Sequence, residues 1–298
     1  MCDDFTLADD AEWQALRRTS RRGFALGAVG IAALGGCMSG GETNPTSSPA
    51  ASGAKIVESA VRIATADGQA DGFFAHPAKR AHAAVLIWPD IVGLRESFRD
   101  MARRLARSGY AALAVNHYYR SAPDPVLPPG TSFTDSAARA KLQPWGKLLD
   151  PAAYARDAQA FVAWLDRQRA VDTKRKIGTV GHCMTGPAAL RAAAAVPERI
   201  GAAASMHGAS LVSDKPDSPH LLLAEMRARA LIAIAQNDDA RDPAGKSKLR
   251  EACDAAGRKC EIEVYPAQHG WTVVDSPAYD RAQAERAWQR LLATFAML

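Results

Sequence analysis

Short apolar runs alternate with longer amphipathic ones along most of this chain, and their spacing predicts the elements. Runs at 57–65, 70–75, 83–88, 111–115, 177–181, 202–206, 230–235 and 261–265 have strand character. The run Ala230-Leu231-Ile232-Ala233-Ile234-Ala235 contains no polar position, as a strand covered on both faces requires. Glu261-Ile262-Glu263-Val264-Tyr265 alternates instead. Helical spacing occupies 96–108, 151–169, 186–195, 244–256 and 279–296. In the first of these, Phe98, Met101 and Leu105 share an apolar face while Arg99, Arg103 and Arg104 take the polar one. Strands that alternate with helices predict an α/β fold, a mostly parallel eight-stranded sheet covered by helices on both faces. The segment 117–149, rich in Pro, Gly and Ser, breaks this rhythm and reads as a long irregular excursion used as a lid or binding loop.

Chemistry concentrates where strands end. Lys176-Ile177-Gly178-Thr179-Val180 runs into Gly181-His182-Cys183-Met184-Thr185-Gly186 and then into an alanine-rich helical run. Strand, sharp Gly-x-Cys-x-x-Gly corner and helix are the setting of a nucleophile elbow, with small flanking residues that avoid clashes. The central residue is a thiol, and the positive end of a helix dipole favours thiolate. A packed, inert cysteine in a strand-to-helix turn is the competing account. The buried strand at 230–235 leads to Gln236-Asn237-Asp238-Asp239, and the alternating strand leads to Pro266-Ala267-Gln268-His269-Gly270-Trp271. In a doubly wound sheet, functional residues sit at the carboxyl ends of strands. Cys183, Asp238 and His269 all occupy such ends, in the order nucleophile, acid, histidine. Asp238, with Asp239, Asp242 and Pro243 nearby, also reads as helix-entry chemistry.

These residues resemble the dienelactone hydrolases (carboxymethylenebutenolidases) of the α/β-hydrolase fold, over about residues 55–298. The similarity is carried by Gly-x-Cys-x-x-Gly at 181–186, by Asp238 followed by Pro243, by Tyr265-Pro266 leading to His269-Gly270-Trp271, and by the run from Ala83 to Gly93. It implies a three-layer sandwich and a catalytic triad of Cys183, Asp238 and His269. It also implies an oxyanion hole from the backbone N–H groups of Met184 and Ile91, and substrate-binding residues in the excursion. Asp90 stands where the family usually has a glutamate that interacts with the resting thiol. His182 and Thr185 depart from the family's pattern, and Thr185 either crowds the elbow or donates a hydrogen bond to it.

The resemblance implies an ester or enol-lactone hydrolase that works by covalent acyl transfer without a metal or cofactor. Two alternatives are a broad cysteine-dependent esterase or thioesterase, and a non-catalytic ligand-binding lipoprotein. Tyr118, Arg120, His207 and Trp271 are candidate pocket residues. Arg120 would grip a substrate carboxylate through a bidentate pair, the alternative being a surface salt bridge. Trp145 is either a lid contact or part of the excursion's own small core.

Composition narrows this picture. The 298 residues are 48% hydrophobic and 23% charged, with formal net charge +5. That balance is compatible with an anionic substrate. Lys and Arg are scattered, with no basic cluster interleaved with aromatics, which argues against nucleic acid as a partner. Neither metal-ligand spacing nor a phosphate loop is present, and a monomer is expected.

Residues 1–36 read as a signal segment. Ser20-Arg21-Arg22-Gly23-Phe24-Ala25-Leu26 is similar to a twin-arginine export signal, and the apolar run that follows is too short to span a bilayer. Leu34-Gly35-Gly36-Cys37 is similar to a lipobox, with Cys37 as the lipidation candidate. Residues 37–54 form a flexible tether. An exported, periplasmic protein is expected, anchored to a membrane where Cys37 is lipidated and soluble where cleavage falls elsewhere. An oxidising compartment permits a Cys253–Cys260 disulfide; two independent thiols are the alternative.

Overall fold

A computed structural model describes residues 55–131 and 133–298. The signal, tether and lipidation expectations for residues 1–54 lie outside the described residues. The chain begins with two antiparallel strands, β1 (Ile56–Thr65) and β2 (Gly68–Pro77). Then follow β3 (Ala84–Trp88), α1 (Glu96–Arg107), β4 (Ala111–Val115), α2 (Ser136–Gly146) and α3 (Pro151–Leu165). The second half runs β5 (Ile177–His182), α4 (Gly186–Ala195), β6 (Ile200–Met206), β7 (Arg229–Ala235), α5 (Gln236–Arg241), α6 (Gly245–Ala255), β8 (Cys260–Tyr265) and α7 (Arg281–Phe295).

The strands form one sheet in the order β1-β2-β4-β3-β5-β6-β7-β8, parallel from β4 onward. The expected eight-stranded, mostly parallel sheet is therefore the observed one. Alternation along the buried strands divides the core between two faces. Leu86 and Trp88 pack toward α3 and α4, where Phe161, Leu165 and Leu190 meet them. Val85 and Ile87 pack toward α1 and α7, against Phe98, Leu105 and Phe295. Every parallel strand ends on one rim, so the loops after β3, β5, β7 and β8 share that edge. Within the opening hairpin β2 runs against this direction and β1 runs with it. Ile56 pairs with Pro77 near the amino-terminal rim, whereas Gly72 pairs with Val115 near the carboxyl rim.

Two elements were not expected. The excursion 117–149 contains α2, capped by Asp135, which accepts from the N–H groups of Ala137 (2.8 Å) and Ala138 (3.3 Å). Pro144 inside that helix and the Pro/Ser-rich flanks masked its period. The excursion has its own small core of Tyr118, Val126, Leu127, Ala138 and Leu142, with Trp145 packed against it. Asp238 lies on the short helix α5 rather than in an open loop. Of the two states left open for Cys253 and Cys260, the disulfide is the one present, with Cα atoms 6.3 Å apart.

Candidate active site

β5 is buried on both faces and ends at His182; Cys183 follows with φ = 58°, in the left-handed region. A side chain held there costs of order 1–3 kcal/mol of strain, so the surroundings must enforce it. They do so by crowding. A β-carbon at Gly181 would run into the Thr185 carbonyl, and one at Gly186 into the Gly208 backbone. The buried Thr185 hydroxyl accepts from the His182 N–H (3.0 Å) and lies 2.8 Å from the Trp88 carbonyl. It thereby ties the turn to the neighbouring strand. Thr185 supports the elbow and does not crowd it. The turn at Cys183–Thr185 leads directly into α4, so the sulfur sits at a helix entry.

His269 and Asp238 close the same corner. The His269 Nδ1–H donates to Asp238 Oδ2 at 2.6 Å, and the His269 backbone N–H donates to Asn237 Oδ1 at 2.9 Å. The imidazole is also hydrogen-bonded to the Cys183 side chain. Burial alone would push the His269 imidazolium down. The Cys183 sulfur and the Asp238 carboxylate outweigh it and hold the ring well above its ordinary value. Cys183 and His269 are 3% and 5% exposed, so this pair sits under little water.

A second chain of hydrogen bonds runs behind the sulfur. The Cys183 backbone N–H donates to His207 Nδ1 at 3.1 Å, which places the His207 ring proton on Nε2. That Nε2–H faces Thr272 Oγ1 at 2.9 Å. The Thr272 hydroxyl proton is then left for His182 Nδ1, 3.1 Å away. Both histidines must be neutral for this order, and burial favours the neutral form of each. Burial lowers His207 well below the ordinary histidine value and His182 to about 4. Thr272 thus ties the loop carrying His269 to His182, which precedes the nucleophile, and to His207, which accepts the nucleophile's N–H. Trp271 is fully buried beneath them, stacked on Tyr265 and edge-on to His207.

A cavity of about 110 Å³ opens over Cys183, lined by Ile91, Val92, Phe133, His207, His269 and the charged group Asp90, Arg95 and Asp275. The loop after β3 is braced from within. Asp90 accepts from the Val92 N–H (2.9 Å) and from both Arg95 Nη atoms (2.7 and 2.9 Å), and its carbonyl accepts from the Gly93 N–H. Because that carbonyl turns toward Gly93, the trans peptide aims the Ile91 N–H the opposite way. Burial pushes the Asp90 carboxyl up, but the Arg95 charge and hydrogen bonds outweigh it, and the net direction is downward.

Cys183, His269, Asp238, His207, Asp90 and Ile91 therefore meet at one rim, with Met184 next to the sulfur in the chain. Others do not meet there. Arg120 is bound to the buried Asp157 (2.7 and 2.8 Å) and to Asp67 (2.6 Å), away from the cavity. Tyr118 stands behind the loop, its hydroxyl donating to the Ile91 carbonyl at 2.9 Å. Trp271 supports His207 from below. Both oxygens of Asp90 accept from Arg95 in an ion pair. Sequence reading missed Arg95, Asp275, Asn237 and Thr272. Arg95 carried one available signal, its place five residues after Asp90 on the same loop. Among the described residues no cluster of His, Cys, Asp or Glu could hold a metal, and no helix is long and apolar enough to cross a membrane.

Comparison with known proteins agrees with this geometry. A family profile described as "Dienelactone hydrolase family" matches residues 70–298. A protein of Methylorubrum extorquens described as "Putative carboxymethylenebutenolidase" is 30% identical over 242 residues, 79% of each chain. One of Salmonella typhi with the same description is 31% identical over 218 residues, 71% of this chain and 76% of the relative. A crystal structure of a "Putative Dienelactone Hydrolase" from Klebsiella pneumoniae superposes with a TM-score of 0.71 at 24% identity. It covers 82% of this chain and 100% of that one.

Proposed function

Because this chain belongs to the dienelactone hydrolase family and is a hydrolase on the α/β-hydrolase fold, we propose that it cleaves ester or enol-lactone bonds through Cys183, His269 and Asp238. The observation that carries this reading is the arrangement around His269. Its Nδ1–H is 2.6 Å from Asp238, its ring is bonded to Cys183, and Cys183 stands on a strained elbow.

In this mechanism the Cys183 thiolate attacks the carbonyl carbon and forms a tetrahedral intermediate. The N–H groups of Ile91 and Met184 stabilise its oxyanion, each worth a few kcal/mol. Collapse breaks the carbon–oxygen bond, and the His269 imidazolium protonates the departing enolate or alkoxide. Neutral His269 then takes a proton from water, whose oxygen attacks the thioester and releases the acid and the thiolate. Sulfur is a better leaving group than an alkoxide. Productive collapse therefore favours activated esters, such as enol lactones and aryl esters, whose leaving oxygen is stabilised.

Stopped-flow hydrolysis of a p-nitrophenyl ester should show a burst equal to the Cys183 content, absent in Cys183→Ala. A variant lacking the thiol but keeping wild-type turnover would refute the assignment.

Export is proposed alongside. The Cys253–Cys260 disulfide suits an oxidising compartment, and Arg21-Arg22 with the Cys37 motif supply a route and an anchor. Mass spectrometry of the mature N-terminus tests it; an intact Met1 in cytosol would be the refutation.

A further inference from the structure

A second cavity, of about 140 Å³, opens between α1 and α7 and shares no lining residue with the cavity over Cys183. We propose that it binds a neutral, phenol-sized molecule, with its ring against Met101, Met206 and Trp288 and its oxygen on His182 and Ser97. The buried polar groups call for that oxygen. His182 and Ser97 both line the cavity and are 2% and 8% exposed. The His182 Nε2 and Ser97 Oγ atoms have no hydrogen-bond partner within the protein. Because His182 Nδ1 accepts from Thr272, its ring proton is on Nε2, a buried donor that wants an acceptor. The Ser97 hydroxyl can donate or accept. A phenolic oxygen suits both groups, accepting from the imidazole and exchanging a hydrogen bond with the serine.

The walls select the rest of the molecule. Met101, Met206, Ala284, Ala287, Trp288 and Leu291 make the interior apolar. An apolar cavity of roughly 150 Å³ accommodates one benzene ring, and methionine sulfur packs well against aromatic edges. Among the described residues, the charged ones in the lining are Asp100, Arg104 and Glu285, and their side chains reach solvent. Arg104 donates to Glu285 (2.8 Å), and Arg103 donates to Asp100 (2.7 Å). An ion moving inward would lose its hydration against an uncharged wall, which favours a neutral ligand. The hydrogen-bond chain from the Cys183 N–H through His207, Thr272 and His182 ends on this chamber.

NMR of the full chain, carbon-13-labelled at its methionine methyls, tests this without turnover, so its outcome is separate from the hydrolase assignment. Met101 and Met206 line the chamber, while Met184 adjoins Cys183 and serves as the control. Titration with 4-fluorophenol should move the Met101 and Met206 resonances saturably, with Kd on the order of 1 mM, and leave Met184 in place. Ala284→Leu fills the chamber and should abolish the shifts. Ser97→Ala, a change a helix accepts readily, should weaken binding about three- to tenfold through the lost hydroxyl. The anionic 4-fluorobenzoate should bind at least about tenfold more weakly than the phenol. A saturable shift at Met184 with Met101 and Met206 unmoved would overturn the proposal. So would the absence of any saturable shift at Met101 and Met206, unchanged affinity in Ser97→Ala, or equal affinity for the benzoate.

Discussion

Replacing Arg120 with methionine separates two accounts of that residue, substrate clamp and internal tie. In the structure the Asp157 side chain is 1% exposed, on α3. Its carboxylate accepts from Arg120 Nη1 (2.8 Å), Arg120 Nη2 (2.7 Å) and the Tyr119 hydroxyl (2.7 Å). Arg120→Met removes two of these donors and leaves a buried carboxylate with the tyrosine. Breaking a buried pair in this way costs about 3–5 kcal/mol. The contact with Asp67, which is nearer solvent, adds under about 1 kcal/mol. For a domain of this size each kcal/mol moves Tm by about 2–4 °C, so a fall of about 6–20 °C is expected. Calorimetry on wild type, Arg120→Met and the double variant Arg120→Met/Asp157→Leu would measure it. The double variant should recover most of the loss, because an apolar pair in place of a buried ion pair is close to neutral. A loss below about 1 kcal/mol, together with a raised KM for a carboxylate-bearing ester, would refute the structural account and restore the clamp.

Two further outcomes follow from the site. His269 titrates well above its ordinary value because it faces Cys183 and Asp238. Its contribution to stability is therefore complete below about pH 6.5 and is lost as pH rises through the folded value. The partner thiolate should persist over the same acidic range, so iodoacetamide should label Cys183 rapidly at pH 6. A labelling rate that climbs only near pH 8.5, as for a free thiol, would rule the ion pair out. Thr272→Val deletes the hydroxyl between His207 and His182 and frees His207 to move its proton to Nδ1, where it would oppose the Cys183 N–H. We expect kcat to fall about 10- to 100-fold with KM changed little, and Thr272→Ser to restore it. An unchanged kcat in the valine variant would dismiss the positioning role.

Local features were legible in the sequence and long-range pairings were not. The β5–Cys183–α4 corner spans fewer than 20 residues, and its glycines, thiol and apolar runs state its geometry directly. Asp238 and His269 could be found because each follows a strand whose apolar pattern is unmistakable. The role of Arg120 depended on Asp157, a helix away, and on Asp67 at the hairpin tip, and nothing near residue 120 signals either. Arg95 meets Asp275 across 180 positions. Thr272 looks like any polar residue between Trp271 and Val273 until the fold brings two buried histidines to it. Helix α2 was hidden for a different reason, since its helical pattern is weak and Pro144 interrupts it. Its start signal, Asp135 before an alanine pair, was nevertheless present.

Strand β1 starts at the amino-terminal rim and runs with the parallel strands, and this bears on how the molecule would present itself. The described chain enters beside Ile56 at the foot of the sheet, while Cys183 opens at its head, roughly 15–20 Å up the strands. A leash feeding into residue 55 would hold the protein by its base. Moored through Cys37 to a bilayer, the enzyme would turn its mouth outward to the surrounding fluid, and soluble molecules would reach the sulfur without crossing the lipid surface.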